Sequence, residues 1–260
     1  MNKIKTTISA FFISIIAMQP YHAQAQIDVA KNDLAEVYKS YDRIKYLSFD
    51  VAYLYSSDTL NGDFTHSEVK GSYQINGRNT LYKLGDITFM QNDSILIGVY
   101  TLKKLIILGD PQTSALKGGI PMRDQMDSLF KMQEQYYDVT VSSKSKYTTI
   151  SFKGLESTAQ FIKYEIVYDN NTNFIKKLEH SFRGITDKDL TDPSMEDSTR
   201  HRLAKEIRLK KLTISFSNYS HAKIDKENFD EKNYIAYDNK MYKPAVKYSD
   251  YKIYDTRKKK

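Results

Sequence analysis

An alternating apolar pattern between Leu47 and Leu108 constrains the fold of this chain more than any other feature. Polar and apolar residues alternate there with the two-residue period of half-buried β-strands, and Asn-Gly pairs interrupt the run at residues 61–62 and 76–77. Asn-Gly favours the tight turn of a β-hairpin, because both central residues of that turn take positive φ. The stretch therefore predicts an antiparallel meander with consecutive strands paired.

The same alternation predicts an apolar wall on one face of these strands, and no catalytic motif lies within it. A wall of this kind is either an ordinary filled core or the lining of an apolar groove, and the sequence leaves both readings open. The residues that we expect to line it are Phe49, Val51, Tyr53 and Tyr55, with Ile95, Ile97 and Val99 beside them.

Two segments have the spacing of amphipathic helices. In Ile27–Tyr46, apolar residues recur at steps of three and four, with most charged residues away from that stripe. A second helix is predicted over residues 122–136, either as a core-packing element or as a mobile lid over an apolar groove, since methionine suits adaptable surfaces. Its apolar face carries Met122, Met126, Leu129 and Phe130.

The second half of the chain returns to strand patterns. Alternating segments begin at Tyr137 and Tyr147, residues 184–199 predict an exposed polar loop, and Leu203–Tyr219 predicts one long strand. No internal repeat divides the chain. We therefore expect an α+β fold that is mainly antiparallel β.

The first 25 residues have the features of a signal peptide. Two lysines precede an apolar run at residues 8–18, which is shorter than the roughly 20 residues of a membrane-spanning helix. Small residues then form a cleavage site ending at Ala25, although a retained anchor helix is the alternative. We expect an exported, periplasmic protein with one domain at residues 26–235 and a Tyr- and Lys-rich extension at 236–260.

Composition excludes several classes of site. The chain has no cysteine, so it has no disulfide, thiol nucleophile or thiolate metal site. Its net charge of +7 falls to +5 once the two lysines of the signal peptide are removed. A nucleic-acid binder would present a clustered basic face with aromatic rings placed to stack on bases. The basic block is instead confined to Arg257–Lys260, which could make transient contact with an anionic membrane surface.

Catalytic and metal-binding motifs are missing from the sequence. Its histidines lack the spacing of a zinc site. The acidic stretch 187–197 begins like a calcium loop, but Asp192 stands where a glycine is needed and Glu196 falls two positions too early. Neither Gly-x-Ser-x-Gly nor a glycine-rich phosphate loop is present. We therefore expect no catalytic residue, no metal and no cofactor.

The order of these elements is typical of one known superfamily. An amphipathic helix leads into a Tyr-x-x-Ile-x-x-Leu-Ser-Phe-Asp-Val strand, hairpins follow, and a strand ending in Ser-Phe-Ser-Asn-Tyr comes late. The stretches concerned are Tyr41–Val51, Gly71–Tyr82, Ile95–Leu108 and Leu212–Tyr219. This layout resembles the LolA-like periplasmic lipoprotein-carrier superfamily over roughly residues 27–234.

The resemblance implies an incompletely closed β-barrel whose concave face is covered by the N-terminal and mid-chain helices. It implies a non-catalytic, monomeric carrier of lipid or acylated polypeptide, acting in lipoprotein trafficking to the outer membrane. The gating arginine of the family has no matching motif here, since Arg43 lies in the first helix and Arg78 in a turn. The alternative is an exported, β-rich interaction component of an envelope or secretion assembly, with a protein partner on its Tyr-rich strands and tail.

Overall fold

The computed structural model describes residues 25–58, 64–111, 137–155, 162–183, 193–206, 209–238 and 241–257. The predicted signal peptide up to residue 24 and the Asn61-Gly62 turn lie outside the described residues. So does the mid-chain helix with its proposed lid residues Met122, Met126, Leu129 and Phe130.

Within these ranges the chain forms two α-helices, three short 3-10 helices and fourteen strands. Helix α1 spans residues 25–42 and α2 spans Asp197–Glu206. The 3-10 helices are Lys226–Phe229, Glu231–Asn233 and Val246–Tyr248. The strands are β1 (Tyr46–Asp58), β2 (Phe64–Asn76), β3 (Asn79–Leu84), β4 (Ile87–Gln91), β5 (Leu96–Tyr100), β6 (Leu105–Gly109), β7 (Tyr137–Lys144), β8 (Tyr147–Gly154), β9 (Lys163–Asp169), β10 (Ile175–Arg183), β11 (Leu209–Ser220), β12 (Ile235–Asp238), β13 (Met241–Pro244) and β14 (Lys252–Asp255).

Twelve strands form one curved sheet in the order β14-β6-β5-β4-β3-β2-β1-β11-β10-β9-β8-β7. Two antiparallel meanders, β1–β6 and β7–β11, meet where β1 pairs with β11. Among the described strands of this sheet, β14 alone runs parallel to its neighbour, β6. Because β14 and β7 are separate edges, the sheet is not closed. The predicted mainly antiparallel, incompletely closed barrel is therefore confirmed.

Turn chemistry in the first meander follows the sequence. Gly77 has φ of +63° between β2 and β3, and Gly85 has φ of +55° between β3 and β4. Positive φ costs glycine little, because it has no Cβ to clash with the backbone. Consecutive strands from β1 to β6 are paired, so the predicted meander is confirmed.

Helix α1 packs its apolar stripe on one face of the sheet, which we call the inner face. The opposite face is the outer face. Each fully buried aliphatic side chain contributes about 1.5–3 kcal/mol, so this stripe is a major part of the stability of the domain. The resulting inner core contains Ala30, Leu34, Val37 and Tyr41 of α1 against Phe49, Val51, Tyr73, Ile150, Tyr164, Ile166, Leu178 and Phe216 of the sheet.

Two predicted boundaries were wrong. Helix α1 ends at residue 42 rather than at Tyr46, because Tyr46 already pairs with Asn76 in the β1–β2 ladder. The predicted strand from Leu203 begins only at Leu209, and the residues up to Glu206 belong to α2. An ion pair between Arg200 and Asp197, three residues apart, supports the first turns of that helix.

A second cluster, the outer core, covers the outer face of β3–β6. The C-terminal part of the chain supplies its cover, and residues 236–260, expected as an extension beyond the domain, provide β14 and several packed tyrosines. The members of the outer core are Leu81, Met90, Ile95, Ile97, Val99, Ile106, Leu108, Ile224, Phe229, Tyr234 and Ile235.

Candidate functional site

The inner face is filled at one end and open towards the other. Phe49 and Val51 lie beneath α1, each with 2% of its surface exposed. Two and four residues beyond Val51 in β1, Tyr53 is half-buried and Tyr55 is 36% exposed. All four side chains share a face because strand residues two apart point the same way. Part of the predicted wall is thus an ordinary core, and part lies beyond the reach of α1.

Strand register separates the other predicted wall residues from these. Phe49 is opposite Tyr73, Tyr73 is opposite Tyr82, and Tyr82 is opposite Phe89. Ile97 is opposite Met90, the neighbour of Phe89, and therefore lies on the outer face. Val99 shares that face.

Ile95, just before β5, is also buried in the outer core. The structure therefore does not bring the seven predicted residues onto one wall. The physical reason is that β5 is apolar on both faces, so alternation does not show which face meets the inner core.

The inner face carries instead a row of rings across five neighbouring strands, which we call the aromatic row. Their ring centroids follow one another at 4.9, 4.2, 6.4 and 6.0 Å. Such pairs contribute about 0.5–1.5 kcal/mol beyond the burial of their surface. Burial falls along the row, from fully buried under α1 to half-buried at the far end. The members are Phe49, Tyr73, Tyr82, Phe89 and Tyr100.

Sequence reasoning predicted the first member of the row, Phe49, and missed the other four. The signal was present, because the Asn76-Gly77 turn sets Asn76 opposite Asn79 and so places Tyr73 opposite Tyr82. Counting outward from each tight turn in the same way would have reached Phe89 through the Gly85 turn.

Gly98 makes room for the row. It lies opposite Phe89, and a Cβ at this position would come within 2.9 Å of the Phe89 ring. That distance is closer than a real side chain tolerates, so only glycine lets the ring lie over the β5 backbone. The half-buried end of the row therefore has a ring that covers bare backbone rather than another side chain.

Three hydroxyls add a polar but uncharged spot to this surface. Tyr53, Tyr73 and Tyr82 interact through side-chain hydrogen bonds. Burial, and then the neighbouring Tyr53 phenol, raise the pKa of both Tyr73 and Tyr82 well above the usual value for tyrosine. The phenols of Tyr73 and Tyr82 therefore remain neutral at any physiological pH.

His180 lies on the same face, in β10 on the other side of β1. Its ring centroid is 4.3 Å from that of Tyr164, in an edge-to-face arrangement. Burial lowers the pKa of His180 to about 4, so the imidazole is neutral at pH 7. It adds a ring without adding a charge to the inner face.

A cavity of about 520 Å³ opens beside the start of α1. Its polar groups bond chiefly to one another, since the Tyr168 hydroxyl donates to Asp33 at 2.8 Å and Thr148 donates to Asn170 at 2.7 Å. The first bond joins α1 to β9, and the second joins β8 to the turn that follows β9. Throughout the described ranges, no group of three or more His, Asp or Glu side chains is placed to hold a metal ion.

Of the three comparisons with known proteins, the comparison with solved structures finds matches. No protein-family model matches the chain, and neither does any curated protein. The comparison with solved structures finds chains of low sequence identity. A LolA superfamily protein from Nitrosomonas europaea is 10% identical at a TM-score of 0.32, with 76% of this chain and 98% of that chain covered.

Two further structures show the range of the likeness. A conserved protein from Thermus thermophilus is 6% identical at a TM-score of 0.40, with 87% of this chain and 99% of that chain covered. A chain of the Pseudomonas aeruginosa MucA/MucB complex is 12% identical at a TM-score of 0.32, with 77% of this chain and 60% of that chain covered.

Within the described ranges, the helices are too short or too polar to cross a membrane.

Proposed function

We propose that this protein is an exported, non-catalytic binder of acyl chains, which lie on the inner face beyond α1. The observation that carries the proposal is the aromatic row, which continues from the filled core into a half-buried surface. Tyr53 borders that surface through its hydrogen bond with Tyr82, and both phenols are uncharged at neutral pH, so the surface suits an apolar ligand.

Burial of an acyl chain releases enough free energy for this purpose. Each buried CH₂ group contributes about 0.8 kcal/mol, so about ten methylenes on the aromatic row would give about 8 kcal/mol before the costs of ordering the chain. The hydroxyls of Tyr53, Tyr73 and Tyr82 bond to one another, so they would need no hydrogen-bond partner from the bound chain.

We also propose that residues 112–136 cover the bound acyl chain, and that the protein acts in the periplasm. Strands β6 and β7 lie near opposite edges of the sheet, and residues 112–136 connect them. The apolar stripe of Met122, Met126, Leu129 and Phe130 would then close over a bound chain. With an N-terminal signal peptide, the protein would work in the periplasm, as a carrier of lipid or of an acylated polypeptide bound for the outer membrane.

Native mass spectrometry of the protein purified from the periplasm tests the proposal directly. We expect an added mass that matches a lipid or fatty acid, released on extraction with organic solvent. Displacement of a fluorescent fatty acid then gives an affinity. Phe89→Ser, at the half-buried end of the row, should weaken that affinity about tenfold, whereas Tyr82→Phe keeps the ring and should leave it within about twofold.

Tyr147→Ser is the matched control. Tyr147 is a partly exposed tyrosine on the outer face of β8, away from the aromatic row, so its removal should not change fatty-acid binding. A purified protein that carries no acyl ligand and does not take up the fluorescent fatty acid would refute the proposal.

A further inference from the structure

The positive charge of this protein is concentrated at its C-terminal end. Residues 236–260 contain seven lysines, one arginine and three aspartates, a net charge of +5. Residues 1–25 contain two lysines and no acid, and the whole chain has a net charge of +7. The 210 residues from 26 to 235 are therefore neutral overall, so the basic character of the mature chain belongs entirely to its last tenth.

The same segment exposes large apolar side chains. Val246 is 93% exposed, Tyr237 is 65% exposed and Met241 is 61% exposed. Exposed lysines are interspersed with them along the chain at positions 243, 247 and 252, and Lys243 contacts Asp238 at 2.6 Å. Single exposed apolar residues are common on soluble proteins, but here they share one short segment with the net charge of the molecule. Tyr237 lies opposite Tyr242 in the β12–β13 ladder and shares its face. We call the other five residues, Met241, Val246 and the three lysines, the C-terminal surface.

This surface is held firmly to the rest of the domain. Tyr242, Tyr248, Tyr251 and Ile253 pack against the outer core, so the opposite side of the segment faces solvent. Strand β14 pairs with β6, and Lys104 of the turn before β6 contacts Asp250 at 2.6 Å. The guanidinium of Arg257 lies 4.4 Å from the centre of the Tyr242 ring. The exposed lysines therefore project from an ordered platform.

We propose that the C-terminal surface docks the protein on an anionic phospholipid bilayer. Lysines bind lipid phosphates, while the methionine and valine side chains enter the boundary between headgroups and acyl chains. The basic residues also favour a membrane over an acidic protein. Protein interfaces are enriched in arginine and depleted of lysine, whereas seven of the eight basic residues here are lysines.

Docking in this way goes beyond ligand binding on the inner face, because it uses a separate surface. The platform covers the outer face of β3–β6, whereas the aromatic row lies on the inner face of β1–β5. Contact with a bilayer through Met241, Val246 and the lysines thus leaves the inner face free. The two proposals can therefore fail independently.

Co-sedimentation with lipid vesicles tests the docking. The full mature chain should bind vesicles made of equal parts phosphatidylcholine and phosphatidylglycerol, and should bind pure phosphatidylcholine vesicles far more weakly. Each lysine near an anionic surface changes the partition coefficient about fivefold. Lys243→Gln, Lys247→Gln and Lys252→Gln together should therefore weaken binding on the order of a hundredfold. Salt at about 0.5 M should act in the same direction, because it screens the lysines from the lipid phosphates.

The matched control removes the same charge elsewhere. Lys83, Lys144 and Lys153 are exposed lysines in β3, β7 and β8. Their combined change to glutamine gives the same net charge, yet it should alter vesicle binding by less than about threefold, because these positions lie outside the C-terminal surface.

The apolar contribution has its own variant. Met241→Ser with Val246→Ser should weaken binding several-fold while the salt dependence stays unchanged, since no charge is altered. Phe89→Ser should leave vesicle binding unchanged, which separates docking from acyl-chain uptake. Equal binding to both kinds of vesicle, or equal losses in the two triple-lysine variants, would overturn the proposal. So would binding to an acidic protein partner without binding to anionic vesicles.

Discussion

A hydrogen-bond network of three residues, Tyr41, Ile175 and Tyr219, joins α1 to the sheet. Removing one hydroxyl should measure how much this network stabilises the protein. The backbone N–H of Ile175 donates to the Tyr41 hydroxyl at 3.0 Å, and the Tyr219 hydroxyl donates to the Ile175 carbonyl at 2.6 Å. The two hydroxyls are 3.0 Å apart. Since the single proton of Tyr219 is used on the carbonyl, Tyr41 must donate to Tyr219.

The perturbation is Tyr41→Phe, which keeps the ring and removes the hydroxyl. Two hydrogen bonds are lost, each worth about 1 kcal/mol, and the buried N–H of Ile175 loses its acceptor at a cost of about 1–3 kcal/mol. These overlapping terms give an expected loss of about 2–3 kcal/mol in the free energy of unfolding. For a domain of this size that corresponds to a fall of about 5–10 °C in melting temperature.

Because the network is buried, we expect its hydrogen bonds to contribute a free energy at the high end of the usual range. It raises the pKa of Tyr41 to about 12 and the pKa of Tyr219 well above the ordinary value. Both phenols are therefore poorly hydrated, and water cannot readily replace a lost partner.

Urea denaturation, followed by circular dichroism, supplies the measurement. Tyr219→Phe should cost a similar amount, because it leaves the Ile175 carbonyl and the Tyr41 proton without their partner. The double variant should lose less than the sum of the two by about 1 kcal/mol or more, since both side chains belong to one network.

Tyr254→Phe, at a well-exposed tyrosine of β14, is the control and should change stability by less than about 0.5 kcal/mol. Additive losses would show that the two hydroxyls do not act as one network. A Tyr41→Phe protein as stable as the parent would show that its hydroxyl does not hold α1 in place.

Two further outcomes are expected. Gly98→Ala should push the Phe89 ring away from β5 and lower the free energy of unfolding by about 1–2 kcal/mol, as measured by urea denaturation. Gly109→Ala is the control and should cost less, because its Cβ would make only ordinary contacts from 3.6 Å. Equal costs would contradict the role of Gly98. His180 has a pKa lowered to about 4 in the folded protein, so the unfolded chain binds more protons between pH 6.5 and 4 and stability should fall as the pH drops through that window. A His180→Phe protein should lose this part of the pH dependence of the free energy of unfolding, which is at most about 1.4 kcal/mol per pH unit. Denaturation curves recorded at about pH 7 and about pH 5 provide the measurement.

Much of the first meander could be predicted because its signals are local. Asn76-Gly77 favours a tight turn between β2 and β3, and Gly85 lies in the next turn, between β3 and β4. Because both turns are short, consecutive strands are placed side by side and pair. The stripe on α1 was equally local, and its residues are the ones buried against the sheet. The end of the helix was less predictable, because the pairing of Tyr46 with Asn76 outweighs the helical pattern.

The candidate site was only half predictable. Phe49, Val51, Tyr53 and Tyr55 share the inner face as the alternation required, but Ile97 lies on the other side of the sheet. When a strand such as β5 is apolar on both faces, its sequence does not show which segment packs on which face. Here the covers come from opposite ends of the chain, α1 for the inner face and residues 224–253 for the outer face.

The sequence by itself thus determined the strands, the turns, the stripe of α1, the neutral body and the basic end. Each of these depends on residues within a few positions of one another, where backbone sterics and side-chain period decide the outcome. Only the tertiary structure decided which faces became cores, that the aromatic row crosses five strands, and that Tyr41 meets Ile175 across 134 positions of chain. Those features depend on pairing and packing between distant segments, and no local pattern encodes their partners.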